Sequence, residues 1–250
     1  MDATGDIPPW KFIYLEVSML LPSIVTCVLF WKYGYPMIAL LTILLFCYLI
    51  VPGLLLYLDK VSTHVTRLSS SFANIALEQS EQLKKGMIWF AACLTISFLA
   101  FFISLSYIPF WSFHTINFFY MANTEIIVIS VLMLLLDPFL EEFFWRVFLQ
   151  SGLAGGLTYS NPKEWIIWIV AIHYGLLYVF IFAVVTSKFY YAIFCAIPFV
   201  IFSRKFAFIR DSGVLTAILG HTGFNLGFVI VLNLWYWNNW EVHGWKPYDF

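Results

Sequence analysis

The feature that most constrains this chain is a series of apolar runs, each about as long as a lipid bilayer is thick. A helix of roughly 20 apolar residues crosses the ~30 Å hydrocarbon layer. Hydrophobic residues make up 62% of the 250-residue chain and charged residues only 11%, which is far more apolar than a soluble domain. The sequence predicts seven spans: 12–31, 35–58, 87–113, 125–149, 165–185, 189–202 and 214–237.

The predicted fold class is therefore all-α, a polytopic transmembrane helix bundle that forms one integral membrane domain over residues 1–250. The polar segment 60–85 has apolar residues spaced four and three apart, which is typical of one face of a helix. We expect an amphipathic helix there, lying on the cytoplasmic membrane surface.

The basic residues predict how the bundle is oriented. Ten of the 13 Lys and Arg residues fall in the N-terminal segment and in the loops on the same side of the membrane. The positive-inside rule then predicts a cytoplasmic N-terminus. Such a multi-pass protein would lie in the endoplasmic reticulum if it is eukaryotic and in the plasma membrane if it is bacterial. A net charge of −1 without a clustered basic face excludes nucleic acid as a partner and leaves membrane lipids as the surroundings.

The stretch DPFLEEFFWR places ionisable side chains inside the fourth predicted span. Such residues are costly at membrane depth and indicate either function or pairing within the bundle. Glu142 and Arg146 are i, i+4 neighbours that can form an ion pair. Glu141 lies about 100° round the helix and has no basic partner at helical spacing. Pro138 cannot donate to the carbonyl of Leu134, so we expect a kink one turn before the two glutamates.

Two later spans carry polar residues at a matching depth: His173 in the fifth, and His221 and Asn225, spaced i, i+4, in the seventh. Counted from the cytoplasmic ends of their spans, Glu141, His173 and His221 all lie roughly 13 to 15 Å into the membrane. A carboxylate there can activate a water molecule, and imidazole or amide donors can stabilise an oxyanion. The same Glu141, His173 and His221 could instead ligate Zn²⁺ together with a water molecule. The sequence leaves both chemistries open, so the cofactor is either a divalent metal or none.

Three motifs occur in order on separate spans: E-E-x-x-x-R at Glu141, Glu142 and Arg146, a histidine about 30 residues later, and H-x-x-x-N at His221 and Asn225. This order resembles the CPBP intramembrane proteases, which include the type II CaaX prenyl endopeptidases and bacterial relatives in bacteriocin processing and self-immunity. The resemblance covers about residues 138–225 and sets the expected catalytic core at 124–226. It implies an intramembrane endopeptidase that cuts prenylated or hydrophobic C-terminal substrates near the cytoplasmic leaflet.

The resemblance also implies a role for each motif residue. Glu141 and His173 would activate the attacking water, and His221 and Asn225 would donate to the substrate oxyanion. Glu142 and Arg146 would hold the geometry of the site.

A different class of function stays open on the residues alone. The same polar side chains could be interhelical hydrogen-bond glue in a non-catalytic protein, or could line an ion path in a transporter. Their clustering at one depth and the absence of an internal repeat favour hydrolysis over transport. No H-E-x-x-H occurs, which excludes an ordinary zincin. Asp137, one turn before Glu141, has no assigned role.

Overall fold

The computed structural model describes residues 9–33, 35–58, 79–107, 123–153, 164–186, 189–209 and 214–243, and all secondary structure in these ranges is helical. The all-α prediction is therefore confirmed for this part of the chain. We number the eight helices in chain order: α1 (Pro9–Val25, continuing as a π-helix over Thr26–Lys32), α2 (Pro36–Thr42, π-helical Ile43–Ile50, then Val51–Leu58), α3 (Gln79–Tyr107), α4 (Asn123–Leu135), α5 (Asp137–Glu141, π-helical Glu142–Gln150, then Ser151–Leu153), α6 (Glu164–Thr186), α7 (Phe189–Ile209) and α8 (Val214–His243).

Several of these helices are long and apolar enough to cross a membrane. Within the described ranges four meet both criteria, and they are Pro9–Leu29, Met37–Leu55, Ser80–Ile103 and Glu164–Ile181. Two shorter apolar helices, Thr124–Leu135 and Leu215–Val231, accompany them. The protein is an integral membrane protein, while seven spans and a cytoplasmic N-terminus stay predictions. Of the predicted amphipathic helix, residues 60–78 lie outside the described ranges and residues 79–85 belong to the first turns of α3.

The outer surface of the bundle is more apolar than that of a soluble domain. Large apolar side chains point outward, with Leu135 71%, Ile88 70% and Ile13 61% exposed. Polar residues such as Ser97, Thr216 and Gln150 are completely buried. A soluble domain buries most of its large apolar side chains and exposes its charged ones. The apolar exterior is therefore the surface that lipid covers.

Four aromatic side chains form the part of the core nearest the acidic residues. The ring of Phe144 lies 4.8 Å from that of Tyr48 and 5.0 Å from that of Trp145, measured between ring centres. The rings of Trp145 and Tyr174 are 5.5 Å apart and nearly perpendicular. Edge-to-face pairs at these distances are favourable. This cluster joins α2, α5 and α6.

The helix that carries the two glutamates is interrupted at the position expected for Pro138. α4 ends at Leu135, Leu136 has φ −100° and ψ −42°, and α5 begins at Asp137 with the proline in its first turn. From Glu142 the helix continues with π-type i→i+5 hydrogen bonds. This boundary lies where the sequence predicted a kink, and the kink itself stays a prediction. The change of helical period after the boundary has no signal in the sequence pattern.

Two glycines allow α8 to approach α3 closely. A Cβ atom added to Gly223 would lie 2.9 Å from the Cα of Phe90, and one added to Gly227 would lie 2.8 Å from the backbone nitrogen of Phe98. Both distances are shorter than atoms tolerate, so only glycine fits without moving the backbone of α3. Small residues permit such contacts between membrane helices. They set the position of α8, which carries His221 and Asn225.

We predict that Gly223→Ala separates α3 from α8 and lowers the free energy of unfolding by about 1 to 3 kcal/mol, the usual cost of overpacking. The midpoint of thermal unfolding in detergent measures this change. Gly53→Ala is the matched control, because a Cβ at Gly53 meets no atom within 4 Å and alanine is the better helix former. Equal midpoints for the two variants would contradict the prediction.

Candidate active site

Glu141 lies at the centre of a polar cluster to which four helices contribute, and only 2% of its surface is exposed. Its Oε1 accepts a hydrogen bond of 2.9 Å from the hydroxyl of Tyr48 on α2, and its Oε2 accepts one of 2.8 Å from Tyr174 on α6. Nε2 of His221, on α8, lies 3.2 Å from the same Oε2. Glu141 has no basic partner at helical spacing on its own helix, and the imidazole of His221 on α8 takes that place.

His221 also connects the two adjacent glutamates. Its Nδ1 lies 3.1 Å from Oε1 of Glu142, and the imidazole is completely buried. Because each ring nitrogen faces a different carboxylate, the ring has one orientation in the site. A carboxylate at one ring nitrogen favours a proton on that nitrogen and so sets the tautomer of the ring. The other nitrogen of His221, Nε2, faces Glu141.

The ion pair expected from the i, i+4 spacing is present. Nη1 of Arg146 lies 3.7 Å from Oε1 of Glu142, and both side chains are almost fully buried. Nη2 of the arginine donates to the backbone carbonyl and to the hydroxyl of Ser203 on α7, at 3.4 and 3.3 Å. The guanidinium carbon also lies 5.2 Å from the centre of the Tyr174 ring, within cation–π range. Arg146 thus connects α5 to α6 and α7, while its role in supporting catalysis stays a prediction.

Asn225 is hydrogen-bonded to Asp137, the residue to which the sequence assigned no role. Its Nδ2 donates to Oδ2 of Asp137 and to the backbone carbonyl of Met133, both at 2.9 Å. Asp137 is 5% exposed. A side-chain amide has two N–H donors, and these two bonds use both. The oxyanion role predicted for Asn225 therefore requires one of them to be exchanged for a bond to substrate.

His173 occupies a different position from the other predicted residues. It is half-buried on α6, and its Nδ1 lies 2.9 Å from the carbonyl oxygen of Ile169, one turn earlier. A carbonyl can only accept, so Nδ1 carries the proton of this hydrogen bond. Within the described contacts, the residue of α6 that contacts Glu141 is the neighbouring Tyr174. Whether His173 joins in activating water stays a prediction.

The described residues that could share a metal ion differ from the expected set. Ligand atoms of Asp137, Glu141 and His221 all lie within 4.8 Å of one another, and all three residues are buried. Imidazole and carboxylate ligands suit zinc and related cations, and Glu142 at the second nitrogen of His221 matches the usual outer shell. The residues therefore fit a divalent cation. The same carboxylates, however, already accept hydrogen bonds from tyrosine and asparagine.

Sequence reasoning missed two members of this cluster, Tyr48 and Tyr174, and gave a third, Asp137, no role. The tyrosines lie in apolar runs, where a tyrosine is an ordinary packing residue. Asp137 is i, i+4 from Glu141, and that spacing already placed it one turn from the glutamate on the same helix.

Residues 123–227 match the family model described as type II CAAX prenyl endopeptidase Rce1-like. The match agrees with the resemblance that the three motifs indicated, and it covers the segment in which those motifs lie. Comparison with curated proteins and with solved structures gave no match. The matched segment begins one residue before the expected core 124–226 and ends one residue after it, while the division into domains stays a prediction.

We predict that Arg146→Met lowers the free energy of unfolding by about 3 to 5 kcal/mol, because a buried carboxylate then loses its charged partner. The double variant Arg146→Met, Glu142→Gln should recover part of that loss. Chemical unfolding in detergent measures both changes.

The exposed pair Glu81–Lys85, at 2.8 Å, provides the control. Lys85→Met should cost no more than about 1 kcal/mol, since exposed ion pairs contribute little. An equal effect of Arg146→Met and Lys85→Met would show that the buried pair does not stabilise the bundle.

Proposed function

We propose that this chain, whose residues 123–227 match the Rce1-like type II CAAX prenyl endopeptidases, is an intramembrane endopeptidase that hydrolyses prenylated or hydrophobic C-terminal substrates near the cytoplasmic leaflet. The observation that carries the proposal is the environment of Glu141. Its carboxylate is buried, faces an imidazole at 3.2 Å, and lies within the matched segment.

In this mechanism Glu141 and His173 activate water. The carboxylate of Glu141 takes a proton from a water molecule, whose oxygen attacks the carbonyl carbon of the scissile peptide bond. The C–N bond then breaks, and the proton held by Glu141 passes to the leaving amine. His173, whose Nδ1 donates to the carbonyl of Ile169, accepts a hydrogen bond from the same water at Nε2 and so acts as a second general base.

The negative charge on the carbonyl oxygen needs donors in the transition state. His221 can be one donor as the imidazolium, because Nδ1 then donates to Glu142 and Nε2, directed into the cluster, carries a second proton. Asn225 can add a second donor once its bond to Asp137 or to Met133 is exchanged. Arg146 and Glu142 act through His221 by holding its orientation.

The cluster as described is closed. Glu141 and Asn225 are each 2% exposed and His221 is fully buried, so an extended peptide cannot reach them without movement of the surrounding helices. Substrate binding would therefore have to replace the contacts of Glu141 with Tyr48 or Tyr174 by contacts with water and peptide. Enzymes that exclude water in this way commonly couple substrate binding to such an opening.

The alternative is a non-catalytic or transport protein that uses the same residues as interhelical glue or as an ion path. The many hydrogen bonds within the cluster are compatible with glue. The two functions predict different effects of an isosteric substitution in the cluster. A purely structural role predicts a less stable protein, whereas catalysis predicts a folded protein with a lower cleavage rate.

We predict that Glu141→Gln and His173→Ala each abolish cleavage of a farnesylated CaaX peptide by the purified protein in detergent, while the thermal midpoint stays close to that of the wild type. His221→Ala should also be inactive, because the oxyanion loses a donor. Glu81→Gln is the control, since Glu81 is an exposed glutamate on α3. Full activity of Glu141→Gln in folded protein would refute the proposal.

We also predict that activity survives a strong chelator, because in the proposed mechanism Glu141 and His173 activate the water as general bases, without a metal. The same peptide assay, run before and after dialysis against chelator, measures this. Loss of activity that Zn²⁺ restores in wild type, and fails to restore in Asp137→Asn, would instead assign a metal to Asp137, Glu141 and His221.

A further inference from the structure

Tyr48 is a site residue that lies outside the segment matched by the family. It belongs to the π-helical part of α2, and its side chain is completely buried. Its hydroxyl is 2.9 Å from Oε1 of Glu141. The matched segment begins at residue 123, so this contact brings a helix from the N-terminal half of the chain to the central carboxylate.

The direction of this hydrogen bond is fixed by Trp145. The indole Nε1 of Trp145 lies 3.3 Å from the Tyr48 oxygen. An indole nitrogen can only donate, so the phenol oxygen accepts from Trp145 and its own proton is left for Glu141. Trp145, Tyr48 and Glu141 form a chain of hydrogen bonds with one polarity. The Tyr174 hydroxyl has no such constraint, since it also lies 3.3 Å from the hydroxyl of Tyr178 and either oxygen can donate.

The two oxygens of Glu141 therefore have different surroundings. Oε2 faces Tyr174 and His221, whereas Tyr48 is the described donor at Oε1. The terminal torsion of a glutamate is broad and roughly two-fold, so the carboxylate needs a donor on each side to stay in one plane. A general base has to point its lone pair at the water within a narrow range of geometry.

We propose that Tyr48 is a positioning residue for Glu141: it orients the carboxylate through Oε1 so that Oε2 and His221 face the water and the peptide. The proposal rests on the hydrolytic function proposed above. It makes α2 part of the active site, although none of the three motifs lies there. Packing alone does not account for the hydroxyl, because the contacts with Phe144 and Trp145 are made by the ring of Tyr48.

The test is Tyr48→Phe, which keeps the ring and removes the donor. The matched control is Tyr14→Phe, since the hydroxyl of Tyr14 donates at 2.6 Å to the backbone carbonyl of Val51, also on α2, and touches no site residue in the described contacts. Tyr48→Phe removes the bond to Glu141 and the bond that Trp145 donates to the same oxygen, whereas Tyr14→Phe removes one bond to a neighbouring helix and none that reaches Glu141.

With a farnesylated CaaX peptide and rates normalised to folded protein, we expect Tyr48→Phe to lower kcat about 10- to 100-fold, the usual scale for losing an orienting hydrogen bond to a charged group. KM should stay within about two-fold of wild type, because the bond matters in the transition state rather than in binding. The acidic limb of the pH dependence of kcat should also change position. Tyr14→Phe should leave kcat, KM and the pH profile unchanged. A merely structural defect would lower the folded fraction and leave the pH profile in place.

A second readout does not depend on turnover. The infrared carboxyl band that disappears in Glu141→Gln should shift in Tyr48→Phe and stay in place in Tyr14→Phe. No shift, or a shift with unchanged kcat, overturns the role of Tyr48. If Glu141→Gln itself cleaves the peptide, the proposed function fails, and the infrared result then reports separately on the contact.

Discussion

The structure depends on the cost of burying charge. Asp137, Glu141, Glu142 and Arg146 are each at most 5% exposed, in a chain whose outer surface faces hydrocarbon. An isolated ionised group in such surroundings costs several kcal/mol, and only close partners with good hydrogen bonds offset that cost. The partners here come from other helices: Tyr48 from α2, Tyr174 from α6, Ser203 from α7, and His221 with Asn225 from α8. The need to satisfy the acidic residues thus fixes where the other helices lie.

The scaffold around this cluster meets the same need by different means. Apolar packing offers little drive for association between helices in lipid, so close approach and polar contacts matter more. Gly223 and Gly227 let α8 approach α3 at backbone distance, within two turns of the residues that contact Asp137 and Glu141. The aromatic rings of Tyr48, Phe144, Trp145 and Tyr174 fill the space between α2, α5 and α6. The glycines and the aromatic residues therefore hold His221 and the tyrosine hydroxyls at the distances that the carboxylates require.

Local spacing explains which parts of this arrangement the sequence could predict. The pair Glu142–Arg146 follows from contacts within about one helical turn and is present. A helix boundary also lies at Leu136, next to the turn in which Pro138 predicts a kink. For Glu141 and His221 the sequence predicted only a shared depth in the membrane. Depth can be counted along the chain, whereas the sequence does not show which faces of two helices contact each other.

The remaining contacts had no usable signal. Tyr48 is one of 14 tyrosines in a chain that is 21% aromatic, so nothing marks it as a partner of a residue 93 positions later. The period of 100° per residue used to place Glu141 and Glu142 also fails once the helix becomes π-type at Glu142. For His173, the spacing that resembles the family motif does not say which face of α6 meets the carboxylate, and Tyr174 takes that contact in the structure.

The contact between Tyr48 and Glu141 limits how segments of such a protein can be exchanged between genes. The family signature resides in residues 123–227, yet one donor to its central carboxylate is encoded 93 positions upstream of that carboxylate. A shuffled gene that carried only the signature segment would bring the acid without the hydroxyl that holds it. The second helix and the signature would therefore have to travel together, and a chimera that replaces the N-terminal half has to supply a tyrosine at the same height on the incoming helix.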